Sequence, residues 1–165
     1  MFRGSAGRGH LPGLLSLDTR SAAGSLLPRE PYLSAKDLAI DGALLTPGAD
    51  LAIVVDGDEF QPYDQRVIVY GVGARKPLGT AFASGCGSVA SVALDSSGRH
   101  LLVGTHSDVA ECGNASPDRL IRVDLPAGLD GVKVVPARYP GDLPDLRLPQ
   151  RAVWHGERPV SGLAW

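Results

Sequence analysis

Short runs of valine, isoleucine and leucine alternate along the chain with clusters of glycine, proline, aspartate and serine. Residues of the first kind favour strands, and residues of the second kind favour tight turns. Three of the runs stop at a regular interval, since the last residues of Leu15–Asp18, Ile68–Gly71 and Ile121–Asp124 are 53 positions apart. A recurrence of about fifty residues is typical of a repeat architecture.

The hairpins of the repeat are predicted from a second alignment, which superimposes Leu44–Val55 on Leu94–Thr105 at an offset of 50 residues. In both segments an apolar run is followed by a turn of Pro, Ser, Asp and Gly and then by a second β-rich run. The alignment pairs Gly48 with Gly98, and each glycine is expected to supply a positive φ in its turn. The offset grows from 50 to 53 before the next strand, which predicts a longer loop in the second copy.

Each repeat is predicted to contain four strands, called A to D here. No window shows an apolar stripe at positions i, i+3, i+4 and i+7 over a helical length, so the predicted fold class is all-β. The predicted strands are Ala39–Leu45, Leu51–Val55, Arg66–Val72 and Leu78–Ala83 in the first copy, and Val89–Leu94, His100–Thr105, Leu120–Leu125 and Val132–Ala137 in the second.

The hairpin Val89–Thr105 resembles the apolar run, x-S-P-D-G-R turn and second apolar run of WD40-like, TolB-like and YVTN/lactonase-like β-propellers. The segment Val123–Gly128 resembles the V-D-L-x-x-G turn that closes the third strand of a blade in those families, and Leu17–Thr19 resembles another copy of it. No Gly-His pair opens a blade and no Trp-Asp pair closes one, which favours the looser bacterial-type propellers over true WD40 repeats. An ordinary β-sandwich and another β-solenoid are alternatives for the same pattern.

The resemblance implies a β-propeller fragment with two full four-stranded blades and partial blades at both ends. Propellers close with roughly four to eight blades, so we expect this chain to be part of a longer protein; the alternative is that several copies complete one ring. In the last segment, Val160–Trp165 resembles Val89–Leu94, and Trp154–Glu157 is expected to be a loop. The expected organisation is a disordered start at 1–10, the end of a preceding blade and a connection at 11–37, blades at 38–84 and 85–137, a Pro-rich connection at 138–158 and the start of a further blade at 159–165.

Charge and hydropathy exclude several classes of function. The net charge is −2 and the basic residues are scattered, so the chain lacks the basic patch of a nucleic-acid-binding protein. Aromatic residues make up only 5%, which argues against a base-stacking surface. The purest apolar run, Leu51–Val55, is far shorter than a membrane span. Arg3 and Arg8 are followed by Gly and Ser where a signal peptide would have an apolar segment.

The two cysteines are a candidate disulfide in the arrangement that the resemblance implies. Cys86 precedes strand A of the second blade, and Cys112 lies in its B–C loop. In a propeller blade the D–A and B–C connections open on the same face, and a bridge forms there if the two Cα atoms lie within about 7 Å. A disulfide would favour an extracytoplasmic location. Two unrelated thiols would favour the cytoplasm.

Two polar clusters in the predicted B–C loops are the candidate metal sites. His106 and Asp108 lie near Glu111 and Cys112 and could bind zinc, although neither a C-x-x-C pair nor an H-x-x-x-H spacing is present. Asp56, Asp58 and Glu59 gather the oxygen ligands that calcium prefers, without the full D-x-D-x-D-G-x₅-E pattern. A solvated polar loop is the simpler interpretation at both places.

No catalytic constellation and no cofactor motif are found. Gly71-Val72-Gly73 follows a strand but lacks the third glycine and the helix of a dinucleotide fingerprint. No cofactor is expected beyond a divalent cation. The predicted function is therefore a non-catalytic scaffold that binds a protein, peptide or glycan on its loop face. The alternative is a fragment of a lactonase-like, metal-dependent hydrolase whose site is shared with blades outside this chain.

Overall fold

A computed structural model describes residues 15–18, 23–26, 39–57, 65–85, 87–106, 118–138 and 142–156. Side chains are described at 43–55 and at each of these positions from 65 onward. Within these ranges the chain forms β1 (Leu15–Asp18), β2 (Ala23–Leu26), β3 (Ala39–Leu45), β4 (Leu51–Gly57), β5 (Arg66–Gly71), β6 (Lys76–Ala83), β7 (Ser88–Leu94), β8 (His100–His106), β9 (Asp118–Asp124), β10 (Lys133–Val135), β11 (Asp145–Arg147) and β12 (Gln150–Gly156).

The strands form two main sheets. Strands β3, β4, β5 and β6 form an antiparallel meander, the first sheet, and β7, β8, β9 and β12 form the second. The β10–β11 hairpin extends the first sheet beyond β6, while β1 and β2 pair with each other separately. Within the described residues the only regular helical segment is the short 3₁₀ turn Ala127–Leu129. The prediction of an all-β fold is confirmed.

Seven of the eight predicted strands lie within about two residues of their predicted bounds, and the eighth is wrong. Val132–Ala137 was assigned as the last strand of the second repeat, but only β10 forms there, and it leaves the second sheet to pair with β11. The fourth strand of the second sheet is β12, which contains Trp154–Gly156, predicted as a loop. This edge strand has mostly exposed side chains, so it lacks the aliphatic run from which the other strands were recognised.

The β10–β11 hairpin covers the outer edge of the first sheet. Strand β11 runs parallel to β6, and the amide of Thr80 donates a 2.8 Å hydrogen bond to the carbonyl of Pro144. Leu146 of β11 is buried and joins the main core. The approach is close because Gly79 has a φ of +155° and no side chain; a Cβ there would lie 2.6 Å from the Pro144 oxygen.

The two A–B hairpins have the same hydrogen bonds, at an offset of 49 residues. In the first, the amide of Leu51 donates to the Thr46 hydroxyl at 3.1 Å. In the second, the amide of His100 donates to the Asp95 carboxylate at 3.0 Å. The bulges agree as well, since the register shifts after Ile40 in β3 and after Val89 in β7. Thr46 is therefore equivalent to Asp95, and Ile40 to Val89.

The offset of 50 predicted for these hairpins is wrong by one residue. The residue with positive φ is Gly98 in the second turn, as predicted, but Ala49 rather than Gly48 in the first, with φ of 70° and 53°. The alignment matched glycine to glycine, whereas the first turn places an alanine in the left-handed conformation. A slip of one residue matters in a strand, because it exchanges the side chains of the two faces.

The offset in the third strand is 53, as predicted. The amide of Val72 bonds to the carbonyl of Asp50 at 2.9 Å, and that of Leu125 bonds to the carbonyl of Arg99 at 2.7 Å. Asp50 is equivalent to Arg99 at the hairpin offset, so Val72 is equivalent to Leu125. The B–C connection of the second sheet is therefore four residues longer than that of the first.

The sheets stack on each other with the same orientation in each repeat. The first sheet contributes Leu51, Ile53, Val55, Val67 and Val69 to the main core, and the second contributes Leu101, Val103, Ile121, Val123 and Leu125. With the offsets above, these five residues of the second sheet are equivalent to Ala52, Val54, Ile68, Tyr70 and Val72, which pack together on the opposite face of the first sheet. Non-equivalent faces are therefore in contact, as expected when one unit is repeated along an axis and not related by a two-fold rotation.

Among the described residues, side-chain hydrogen bonds of two glutamines connect the sheets. The amide of Val89 donates to Oε1 of the buried Gln65 at 2.6 Å, and Nε2 of Gln150 donates to the carbonyl of Ala81 at 3.0 Å. Buried amide groups need partners, so these bonds also fix the relative position of the sheets. In the described part of the chain, no helix is long and apolar enough to cross a membrane.

Candidate functional site

The face of the second sheet that points away from the first is half-buried, apolar in its middle and polar at both ends. Side chains alternate along a strand, so the residues between those of the core point away from the first sheet. We call His100, Leu102 and Gly104 of β8 and Leu120, Arg122 and Asp124 of β9 the outer face. Their register neighbours are His100 with Asp124, Leu102 with Arg122 and Gly104 with Leu120. The equivalent positions of the first sheet are Leu51, Ile53, Val55, Val67, Val69 and Gly71, of which the first five pack in the core shared with the second sheet.

A histidine–aspartate pair lies at the end of the second sheet from which the B–C connection leaves. Nδ1 of His106 lies 3.2 Å from Oδ1 and 3.4 Å from Oδ2 of Asp118. The Asp118 residue is only 5% exposed, whereas 45% of the His106 side chain is exposed. With its Nδ1 proton directed to the carboxylate, the neutral imidazole has an acceptor at Nε2. This arrangement orients the ring as a base or as a ligand.

A second histidine–aspartate pair lies at the opposite end of the same strands and includes an arginine. Asp124 Oδ1 lies 3.0 Å from His100 Nδ1 and 2.7 Å from Arg122 Nε. The guanidinium of Arg122 also lies 3.4 Å from His100 Nε2. A neutral His100 with its proton on Nδ1 satisfies both neighbours, and the adjacent guanidinium charge makes its Nε2 a poor metal ligand. Of these two histidines, only His100 has an arginine beside its Nε2 among the described residues.

Hydrogen bonds lower the pKa values of two carboxyl groups, that of Asp124 in this network and that of Asp95 in the turn before β8. The pKa of Asp124 lies below its ordinary value of 3.8, chiefly because Arg122 donates a hydrogen bond to it; burial opposes the shift, and His100 adds to it. Burial alone would raise the pKa of Asp95, but hydrogen bonds from Ser97 and from the amides of His100 and Arg99 outweigh it and lower the pKa. These bonds fix the start of β8.

Replacing Asp124 with asparagine should reduce the amount by which the free energy of unfolding falls when the pH is lowered from about 6 to about 3. A carboxyl with a lowered pKa stabilises the folded state above its ordinary value of 3.8, and this stabilisation is lost as the pH falls through the folded-state value. Because the side chain is 44% exposed, the contribution should be below about 1 kcal/mol. Urea unfolding at about pH 6 and about pH 3 should show a smaller difference in Asp124→Asn than in wild type. If the difference between the two pH values were the same in Asp124→Asn as in wild type, the prediction would be contradicted. Asp130→Asn, which removes an exposed carboxylate, is the control.

The predicted site residues fall mostly outside the described residues. This holds for Asp58, Glu59, Asp108 and both cysteines, Cys86 and Cys112, so the calcium, zinc and disulfide interpretations stay predictions. Asp56 lies in β4, in register with Arg66. His106 ends β8 beside Asp118, as described above. No group of three His, Cys, Asp or Glu residues with metal-binding geometry occurs among the described residues.

Sequence reasoning did not identify Asp118, Arg122 and Asp124 as partners of the two histidines. The signal was present in β9, where these residues are an even number of positions apart and therefore share one face with Leu120. Pairing these residues with the histidines requires the register of β9 against β8. That register depends on the length of the connection between the two strands, which the sequence pattern does not define.

Comparison of the chain with protein-family models, with curated proteins and with solved structures found no match in any of the three.

Proposed function

We propose that the chain is a propeller-type repeat unit that works as a non-catalytic binding scaffold. The observation that supports this proposal is the repeated stacking of the two four-stranded sheets with non-equivalent faces in contact. The ends of β4, β6 and β8 and the starts of β5, β7 and β9 lie at one edge of the two sheets, which we call the rim. We infer that the connections between these strands hold a ligand there.

The composition of these connections indicates a basic partner. Residues 58–64 contain Asp58, Glu59 and Asp64, and residues 107–117 contain Asp108 and Glu111, while neither segment contains a lysine, arginine or histidine. Two segments of one charge sign that begin and end at the same rim would attract a ligand of the opposite sign and orient its approach. Residues 58–64 also include Phe60 and Tyr63, and aromatic residues are enriched in protein interfaces. We therefore propose a lysine- or arginine-rich protein segment as the ligand.

The proposal is tested with a fluorescein-labelled peptide of alternating lysine and serine, measured by fluorescence anisotropy. A variant with Asp58→Asn, Glu59→Gln and Asp108→Asn should bind the peptide at least about tenfold more weakly than wild type. The matched control removes three exposed carboxylates away from this rim, with Asp130→Asn, Asp142→Asn and Asp145→Asn. Equal losses in both variants would mean non-specific attraction by net charge and would contradict a specific rim site.

A metal-dependent hydrolase is the second candidate, and His106 is the observation in its favour. Metal-binding histidines commonly donate their other ring N–H to a carboxylate, and His106 does so to the buried Asp118. Isothermal titration of the chain with Zn²⁺ and with Ca²⁺ separates the two candidates. Binding of either ion that is lost in His106→Gln would favour the hydrolase, and no binding would favour the scaffold.

A further inference from the structure

A bulge in the edge strand β12 determines the side of the second sheet on which Trp154 lies. Ala152 is in register with Ile121 and Trp154 with Leu120, so Val153 is the additional residue of β12. In an unbroken register, Trp154 would lie on the same side of the sheet as Ala152. The bulge places it instead on the side of Leu120, which belongs to the outer face. Bulges at sheet edges commonly redirect a side chain in this way at functional sites.

The six-membered ring of Trp154 lies over Gly156 at the rim. A Cβ added at Gly156 would overlap Cζ2 and Cη2 of this ring and would lie 3.1 Å from Cε2, so the missing side chain makes room for the indole. Gly156 is in register with Asp118, the first residue of β9. The ring therefore lies in the same cross-strand row as Asp118, and Trp154 is still 42% exposed.

Three electron-rich groups occupy this row across β12, β9 and β8. The first is the indole ring of Trp154, because aromatic rings are negative on their faces. The second is the carboxylate of Asp118, which lies 3.2 Å from Nδ1 of His106. The third is Nε2 of His106, the acceptor of the neutral imidazole, in a side chain that is 45% exposed. The row therefore suits a positively charged ligand that also donates hydrogen bonds.

The basic residues of β9 and β12 do not project into this row. Arg119 and His155 are in register with each other, and because side chains alternate along a strand they project from the opposite side of the sheet. Arg122 and Arg151 are in register on the side of Trp154. The indole extends away from them, toward Gly156. A cation that reaches the row from the rim therefore approaches its electron-rich groups without passing these two arginines.

We propose that this row binds the ammonium group of a lysine of the partner segment, between the ring of Trp154 and Nε2 of His106. A bound ammonium lies within about 6 Å of a ring centroid, and tryptophan is the best ring for it. Its hydrogen bond to an imidazole nitrogen spans about 3 Å. Together these distances match the separation of about 9.6 Å between β12 and β8, which are two strand spacings apart. The inference rests on the proposed function and identifies residues that would recognise a lysine.

Fluorescence anisotropy with the lysine–serine peptide tests the contribution of Trp154. Trp154→Ala should bind the peptide about two- to fivefold more weakly than wild type, as expected for a cation–π contact at an exposed site. Trp154→Phe should give an intermediate affinity. Val153→Ala is the matched control, since Val153 is the adjacent residue and is 47% exposed, and it should bind as wild type does. Equal affinity of Trp154→Ala and wild type would overturn the lysine site. The proposed function would still stand if the variant without the rim carboxylates lost binding.

NMR titration of the full chain with a single lysine tests the site without the peptide. N-acetyl-lysine methylamide at millimolar concentration should shift the indole N–H signal of Trp154 and the ring signals of His106. N-acetyl-norleucine methylamide, which lacks the ammonium group, should shift neither. If wild type bound no peptide but gave these lysine-specific shifts, the proposed function would fail and the lysine site would stand.

Three results of this titration would overturn the lysine site. One is the absence of any shift with the lysine derivative. Another is an equal shift with the norleucine derivative, which would indicate an apolar contact. The third is a shift with cellobiose but not with the lysine derivative, which would indicate that the Trp154 ring stacks on a sugar.

Discussion

Replacing Gly79 with alanine is expected to lower the free energy of unfolding by about 3 kcal/mol, from backbone strain and overpacking together. The backbone at Gly79 has a φ of +155°, and an added Cβ would lie 2.6 Å from the Pro144 oxygen and 2.9 Å from the Leu146 side chain. To relieve this clash, β11 must move away from β6, which breaks the hydrogen bond from Thr80 to Pro144 and withdraws Leu146 from the core. Urea denaturation followed by circular dichroism measures the loss.

Gly73→Ala is the matched control for this substitution. Gly73 lies in the exposed turn between β5 and β6, its φ is not positive, and an added Cβ would meet nothing within 4 Å. This variant should stay within about 0.5 kcal/mol of wild type. If Gly79→Ala were equally neutral, β11 would not be packed against β6 as described.

Truncating Leu101 to alanine should cost about 3 kcal/mol of unfolding free energy, the middle of the range for buried leucines. Leu101 begins the core-facing positions of β8, is fully buried, and packs in the cluster that joins both sheets. The cost has two parts. One is the lost transfer from water of three carbon atoms, Cγ and the two Cδ, and the other is the cavity that the two sheets cannot close. Thermal and urea unfolding with coincident transitions would measure it.

Leu45→Ala provides the control, since Leu45 lies at the edge in β3 and is 62% exposed. Its truncation should change stability by less than about 0.5 kcal/mol. Similar costs at the two positions would show that the sheets do not share a core at Leu101.

The all-β class and seven strands could be predicted because those strands carry aliphatic runs between turn residues. All seven of these strands belong to the two main sheets, in each of which at least one face is buried, so the pattern and the burial coincide. The edge strand β12 could not be recognised, since an exposed edge needs no aliphatic side chains. The hairpin offset was wrong because Ala49 takes the conformation that the alignment reserved for glycine. The sequence pattern does not show that Ala49, and not Gly48, takes this conformation, because the turn is fixed by hydrogen bonds between Thr46 and Leu51.

The candidate site was predictable only in part. His106 was singled out from its polar neighbours, and the structure places it at the end of β8 beside a buried carboxylate. Its partner Asp118 lies twelve residues further on, across a connection whose length varies between the repeats. The pairing follows from the register of β8 and β9, and a register is a property of the assembled sheet.

The two sheets stack as repeated units with non-equivalent faces in contact. Methyl NOE spectroscopy on the full chain tests this stacking. We expect cross-peaks from the methyl groups of Ile53 and Val69 to those of Leu101 and Val103, all members of one cluster. We expect none to the second sheet from Val54 and Ile68, which pack on the other face of the first sheet. Cross-peaks from Val54 and Ile68 to Leu101 and Val103 would instead bring equivalent faces together and contradict the repeated stacking.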